Sequence, residues 1–326
     1  MLLDAGADVH ANHGEALRMA SESGHAEVVK ILLNAGADVG TTNYNTLLCS
    51  VEKGYADVVK TLLNAGADIT AYCGDTALAR ASSDGRVEIV KALIDAGADV
   101  HSKGDEPLFL AVHKGHFEVV KVLVEAGANV RACDNRALRR AAEFGHTKMV
   151  HLFLSECSLD NEDIRSNNDE ALQLASASGH AETVQALLVG NWLGGADVHA
   201  EEDSSLRWAA YYGHSGVVKE LLDWGADVHA RNNEALLISS ERGYKDVVKN
   251  LIKFGADVHA KNDMALQVAS VSGHVGVVKI LLEAGADARV CNIEMLSSGD
   301  CEGYQEIARL LSSMLPRNKS TAARMS

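Results

Sequence analysis

Asn232-Asn233-Glu234-Ala235-Leu236-Leu237-Ile238-Ser239-Ser240-Glu241-Arg242-Gly243, followed by Tyr244-Lys245-Asp246-Val247-Val248-Lys249-Asn250-Leu251-Ile252-Lys253-Phe254-Gly255, is the stretch whose reading decides the fold. In the second half Val247, Val248, Leu251 and Ile252 fall at i, i+1, i+4 and i+5, one apolar face of a helix. In the first half Ala235, Leu236 and Ser239/Ser240 form a shorter stripe. Each half stops at a glycine, a residue that closes a helix by adopting the left-handed conformation. After Gly255 comes Ala256-Asp257-Val258-His259-Ala260, read as a short extended turn into the next copy. The unit is helix, turn, helix, loop. Two helices of about two turns each are too short to persist alone in water, so they must stack and bury leucine and valine between neighbours.

The unit recurs. Gly-Ala-Asp starts at Gly6, Gly36, Gly66, Gly97, Gly195, Gly225, Gly255 and Gly285, with Gly127-Ala128-Asn129 as a near copy, in steps of 30, 30, 31 and 30 and then 30, 30 and 30 residues. Such a period means one supersecondary unit stacked many times. A leucine opens every first helix: Leu17, Leu47, Leu78, Leu108, Leu138, Leu172, Leu206, Leu236, Leu266 and Leu296, which makes ten units. Two steps, Leu138 to Leu172 and Leu172 to Leu206, are 34 residues long. These register slips fall near 156–168 and 189–195. They are expected to bulge from loops and to bend the stack.

Composition narrows the function classes. Only 2 prolines in 326 residues suit a helical chain, and 5% aromatic content leaves the core to Leu, Val, Ile and Ala. With 45 Asp+Glu against 30 Lys+Arg the net charge is −15, which disfavours nucleic acid and anionic membrane as partners. No apolar run approaches the ~18 residues of a membrane span. Cys49, Cys73, Cys133, Cys157, Cys291 and Cys301 form no CxxC pair, and are read as reduced thiols in a cytosol-like compartment.

These residues resemble the ankyrin repeat family. Gly-His stands between the helices at Gly24-His25, Gly115-His116, Gly145-His146, Gly179-His180, Gly213-His214 and Gly273-His274, Val-Val and Leu-Leu mark the second helix, and Gly-Ala-Asp-Val closes it. The resemblance implies an all-α, ankyrin-type helical solenoid over residues 1–316, with a disordered basic tail at 317–326. It also implies protein–protein binding without catalysis or cofactor. The period of 30 falls short of the 33 of ankyrin repeats, so the projecting β-turn fingers are expected to be shortened. Glu15-Ala16-Leu17 and Glu170-Ala171-Leu172 replace the family's Thr-Pro-Leu-His. Short repeats of this kind are similar to the large ankyrin families of giant DNA viruses of amoebae.

The ends differ. Leu2-Leu3-Asp4-Ala5-Gly6 reads as the end of a second helix with no pair before it, expected of a truncated frame, a fragment or an excised domain. Glu306 to Leu311 reads as a last helix ended by Pro316. His10, His101, His199, His229 and His259 share one register. Stacked repeats lie about 8–10 Å apart, too far for adjacent histidines to share zinc at about 2.0–2.1 Å, so no metal is expected. Lys30, Lys60, Lys91, Lys121, Lys219, Lys249 and Lys279 form a ladder, most with an acid three residues earlier, read as a solvated face rather than a docking stripe.

The two residues before the inter-helix glycine vary freely, from Glu22-Ser23 to Tyr211-Tyr212 and Glu241-Arg242. In ankyrin arrays this register lies on the concave binding face. The candidate partner-binding residues are Arg136, Arg139, Arg140 and Phe144 in the fifth unit, with Arg207, Tyr211 and Tyr212 in the seventh. Tyr, Trp and Arg are the types enriched at binding hot spots. Trp208 is expected to face inward, where other copies have Met19, Leu110 or Val268. A basic patch in an acidic molecule suits an acidic peptide. The expected function is a scaffold holding a protein on its concave face, an adaptor or decoy for a host protein, monomeric and cytoplasmic. The alternative is a structural or self-associating module of a larger protein. No phosphate loop, nucleophile elbow or metal motif favours an enzyme.

Overall fold

The computed structural model describes residues 6–40, 45–69, 73–157, 159–191, 194–297 and 302–315. The start at residues 1–5, Trp192, Cys301 and the segment from 316 onward lie outside the described residues. The chain divides into two compact units, Met1–Asp163 and Ile164–Ser326, and the division falls in the first register slip. The first unit holds five helix pairs: α1 (Ala11–Glu22) and α2 (Ala26–Asn34), α3 (Asn45–Lys53) and α4 (Ala56–Asn64), α5 (Cys73–Ser83) and α6 (Val87–Asp95), α7 (Ser102–Lys114) and α8 (Phe117–Glu125), α9 (Ala132–Glu143) and α10 (Thr147–Ser155). A single turn, α11 (Asn161–Ile164), spans the division. The second unit holds α12 (Ser166–Ser178) and α13 (Ala181–Val189), α14 (Ala200–Tyr212) and α15 (Ser215–Asp223), α16 (Ala230–Glu241) and α17 (Lys245–Lys253), α18 (Ala260–Val271) and α19 (Val275–Glu283), and α20 (Ile293–Ser297) and α21 (Glu302–Met314). Each unit is a helical-repeat solenoid, with first helices against first helices and second against second.

The seam is the one the leucines mark. All ten are at most 5% exposed, and burying each contributes roughly 1.5–3 kcal/mol. Val217, Val218 and Leu221 of α15 and Val247, Val248 and Leu251 of α17 are buried beside them. Between first helices the buried residues are small, Ala209 and Ala210 on α14 and Ser239 and Ser240 on α16. Small side chains there let neighbouring first helices approach closely.

The loop differs from the expected extended turn. His229 has φ −90° and ψ −1°, and Arg231, Asn232 and Asn233 then follow at φ 50°, 59° and 61°. This left-handed turn of three residues recurs at 12–14, 103–105, 133–135, 167–169, 201–203 and 261–263, and it stands where a longer repeat carries a finger. Left-handed backbone costs L-residues roughly 1–2 kcal/mol each, so the turn needs compensation. In five of the seven turns the third residue is buried and supplies it: Asp105 Oδ1 accepts the N–H of Asn129 (2.6 Å), Asp169 Oδ1 that of Asp197 (2.8 Å), Asp203 Oδ1 that of Asp227 (2.8 Å), Asn233 Oδ1 that of Asp257 (2.8 Å) and Asp263 Oδ1 that of Asp287 (2.9 Å), whereas Gly14 has no side-chain acceptor and Asn135 Oδ1 makes no such bond. The aspartate of Gly-Ala-Asp has its own task. Asp227 Oδ1 accepts the N–H of His229 at 2.8 Å, and Asp99, Asp197 and Asp257 hold His101, His199 and His259 in the same way.

The histidine ladder completes the turn. Nδ1 of His101, His199 and His259 lies 3.1, 3.2 and 3.0 Å from Oδ1 of Asp105, Asp203 and Asp263. In the sixth pair Arg165 stands at the histidine position, and burial pushes the Asp169 carboxyl above the usual carboxylate range, against the opposing N–H of Asp197 and the charge of Arg165.

The second register slip is absorbed locally. Asn191 and Gly194 exchange N–H···O bonds of 2.9 and 3.0 Å, the lone bridge among the described residues. Ala196 N–H then reaches Leu187 O at 2.9 Å, the closure Ala226 makes to Leu221 four residues sooner.

Both helices of a pair end in a six-to-one closure, His274 N–H to Ala269 O and Ala256 N–H to Leu251 O, each 2.9 Å, with a left-handed glycine between donor and acceptor. The two glycines are not equivalent. Gly255 (φ +95°) faces open space, whereas a Cβ on Gly243 (φ +78°) would lie 2.6 Å from Nδ1 of His274 in the next pair. That ring is held by Nε2 at 2.8 Å from Glu241 O. His116, His214 and Tyr304 make the same bond to Ser83, Ala177 and Val271. Gly-His is therefore a contact between pairs as much as a turn.

Two measurements check this account. Gly255→Ala is expected to cost about 1 kcal/mol of unfolding free energy. Gly243→Ala is expected to cost roughly 1–2 kcal/mol more in urea denaturation, because it also displaces the seated ring. Equal losses would show that the ring contributes nothing. Asp169→Asn keeps an acceptor for Asp197 N–H and removes the buried charge. A raised native pKa gives stability that is whole at acid pH and lost as pH rises through it. The variant is therefore expected to melt higher than wild type at pH ~7.5, with the difference closing toward pH ~4. A variant that melts lower at neutral pH contradicts the burial effect.

Candidate functional site

The exposed residues of the first helices divide into two registers with different duties. In four pairs the residue after the marker leucine, Arg139, Gln173, Arg207 or Gln267, braces the left-handed turn. Arg139 donates from Nη1 to Asp134 O and from Nη2 to Cys133 O. Arg207 donates from Nε to Glu202 O (3.3 Å), from Nη2 to Glu201 O (3.0 Å) and from Nη1 to Glu234 Oε2 (3.1 Å). Gln173 and Gln267 donate to Asn168 O and Asn262 O at 2.7 Å from the same position. Arg139 and Arg207 thus have structural partners, although the sequence points to them as binding residues.

The register two residues beyond the leucine is open. Trp208 is 43% exposed and Met19 57%, so the expected inward packing of Trp208 does not occur. The side of α14 that it occupies is bordered by Tyr211 and Tyr212. The three rings make one cluster, with Trp208 5.9 Å from Tyr211 edge-on, 6.1 Å from Tyr212 nearly parallel, and the two tyrosines 4.9 Å apart. Arg242 of the next first helix sets its guanidinium carbon 3.6 Å above the Tyr211 ring. Tyr212 also stacks on His214 at 6.2 Å. The structure brings Tyr211 and Tyr212 together as the sequence suggests and adds Trp208 and Arg242.

The first unit has a second cluster. Arg136 stands 3.3 Å over Phe109, and Arg140 lies 5.7 Å from Phe109 and 5.9 Å from Phe144. Phe144 meets His113 edge-on at 5.0 Å and stacks on His146 at 6.0 Å. Arg140 is also paired with Glu143 at 2.5 Å. Phe109 and His113, from the preceding pair, are members the sequence reading missed.

On the second-helix face the lysines pair between repeats as well as within them. Lys60 meets Glu88 of the next pair at 2.9 Å and Lys279 meets Glu306 at 2.6 Å, while Lys91 keeps its partner three residues back, Glu88, at 3.7 Å. Cys49, Cys133, Cys157 and Cys291 are free, and burial pushes the Cys157 thiol up to about 11. Among the described residues no group of three or more His, Cys, Asp or Glu is placed to hold a metal ion, and no helix is long and apolar enough to cross a membrane.

A family model for ankyrin repeats (3 copies) matches residues 1–73, 70–134, 138–232 and 206–292. The chain belongs to the ankyrin repeat family. Ankyrin repeats mediate protein–protein interaction and are typically non-enzymatic binding scaffolds. No curated protein matches the chain. For this ankyrin chain the division of registers has a direct check. Arg207→Gln is expected to retain wild-type stability, since glutamine does the same work at 173 and 267, while Arg207→Ala loses about 1–3 kcal/mol by uncapping the turn. Loss of stability in both variants, read by thermal and urea melts, would separate Arg207 from the glutamines.

Proposed function

We propose that this chain is a non-enzymatic adaptor that holds another protein on the first-helix side, the concave face of ankyrin arrays, with Trp208, Tyr211 and Tyr212 as the energetic centre in the second unit. The observation that carries this is three aromatic rings gathered at the surface of one helix, with Trp208 and Tyr212 43% and 49% exposed. Rings left in water on a rigid framework bury large area at little entropic cost when a partner covers them. Arg136, Arg140 and Phe144 form a subsidiary site in the first unit, while Arg139 and Arg207 hold the turns that present both. The 30-residue period with Glu-Ala-Leu and Asp-Val-His supports a kinship with the short-period ankyrin families of giant DNA viruses, with the chain acting as a monomer in a host cytoplasm on a host protein.

One observation favours the self-associating alternative. Val28 and Ile31 of α2 are 45% and 56% exposed, whereas the residues matching Val28 in the next two pairs, Val58 and Ile89, are buried. Light scattering across a concentration series is expected to give a constant monomer mass, and a rising mass would favour that alternative.

Site-specific photo-crosslinking tests the adaptor reading. A benzophenone side chain at Tyr212 is expected to trap a discrete partner, and the same group at Lys249 on the second-helix face is not. Trp208→Ala is expected to weaken that complex by about thirtyfold, the scale of a hot spot. Equal trapping at both positions, or an unchanged affinity in Trp208→Ala, overturns the reading.

A further inference from the structure

The arginines that suggest an acidic partner are already occupied, and this reverses the charge to be expected of what docks at the second-unit cluster. Arg207 is engaged by two turn carbonyls and Glu234, and Arg242 lies on Tyr211. What remains directed at solvent is of the opposite character. Trp208 and Tyr212 are half-exposed, and the face of an aromatic ring carries the negative pole of its quadrupole. Glu241 occupies on α16 the register that Tyr211 holds on α14, is exposed, and has no ion pair among the described residues. The chain as a whole carries −15.

The molecule's own arginines show what such rings accept. Arg242 sits 3.6 Å over Tyr211, and in the other unit Arg136 sits 3.3 Å over Phe109. A guanidinium above an aromatic face is held by the quadrupole, more strongly as water is excluded. The three rings are 4.9–6.1 Å apart and touch one another, so they form a platform rather than a cage around a small cation.

We propose that the Trp208–Tyr211–Tyr212 platform, flanked by Glu241, takes an arginine-bearing, partly apolar segment of the partner protein, its guanidinium laid on the exposed aromatic surface of Trp208 and Tyr212 and its apolar side chains against the rings. The proposal rests on the reading of this face as the docking face, and the test separates the two. The full chain is titrated into a fluorescent peptide alternating arginine and leucine, and into counterparts with glutamine or glutamate in place of arginine. The arginine peptide is expected to bind about tenfold more tightly than the glutamine peptide and the glutamate peptide weakest of the three, with the preference shrinking as salt rises. Trp208→Ala, Tyr212→Ala and Glu241→Gln are each expected to cut affinity for the arginine peptide by about three- to tenfold, with melting temperature unchanged. A glutamate peptide that binds as well as or better than the arginine peptide, still weakened by Trp208→Ala, overturns the charge assignment and leaves the docking face standing. Failure of every peptide to bind, or indifference of all of them to Trp208→Ala and Tyr212→Ala, overturns both.

Discussion

A side-chain oxygen from one left-handed turn, accepting the N–H that opens the next loop, is the interaction on which five of the seven described turns depend. A 30-residue unit lacks the length for a projecting hairpin, so its loop must reverse direction in three residues of unfavourable backbone. Left alone that turn is strained, and the amide of the Gly-Ala-Asp aspartate is a half-buried donor that needs a partner. Asp203 with Asp227, Asn233 with Asp257 and Asp263 with Asp287 answer both problems in one bond. Where the acceptor is a carboxylate, a histidine four residues earlier stands against it in three turns, and where Arg165 replaces the histidine the burial of Asp169 shows as a raised proton affinity. Where the acceptor is the amide of Asn233 there is no carboxylate charge to balance.

The second tie runs through the inter-helix glycines. His274 over Gly243 and Tyr304 over Gly273 carry the first helices of one pair onto the turn of the previous one, so each pair is fixed only by its neighbours. Stability in such an array is close to a sum of nearest-neighbour terms. That arrangement frees any position outside the ties to vary. The tie positions account for the leucine, glycine, aspartate and histidine ladders, and also for Arg139, Gln173, Arg207 and Gln267 after their leucines. The positions left over are few, and they are where Arg140, Trp208, Tyr211, Tyr212 and Phe144 stand.

Periodicity made the helices, the glycine stops and the leucine seam legible, because each of those features is local and repeats in register. The left-handed turns were not legible. Glu201-Glu202-Asp203 contains no glycine, and its conformation is imposed by a hydrogen bond to an amide 24 residues on, which no local pattern announces. Arginine composition did not announce that Arg139 and Arg207 bond to the turn carbonyls. Gln173 and Gln267 in the same register were the available signal that the position serves the backbone. Trp208 was misjudged because Met19, Leu110 and Val268 look like core residues in a list of equivalents, whereas Met19 is more exposed than Trp208 itself. Phe109 and Arg136 meet across two pairs, a contact that 27 residues of separation hide.

Magnitudes decide what the remaining surface can contribute. Exposed ion pairs are worth about 0–1 kcal/mol, too little to anchor a complex, and here the lysine ladder spends them between neighbouring second helices. Buried aromatic area is the larger source, and cation–π contact grows from about 0.5–1 to ~2 kcal/mol as water leaves. On the proposed reading, affinity on this face comes from covering Trp208 and Tyr212. In that proposal charge acts on selection, since a carboxylate brought beside Glu241 would be repelled, while a guanidinium would gain as water leaves.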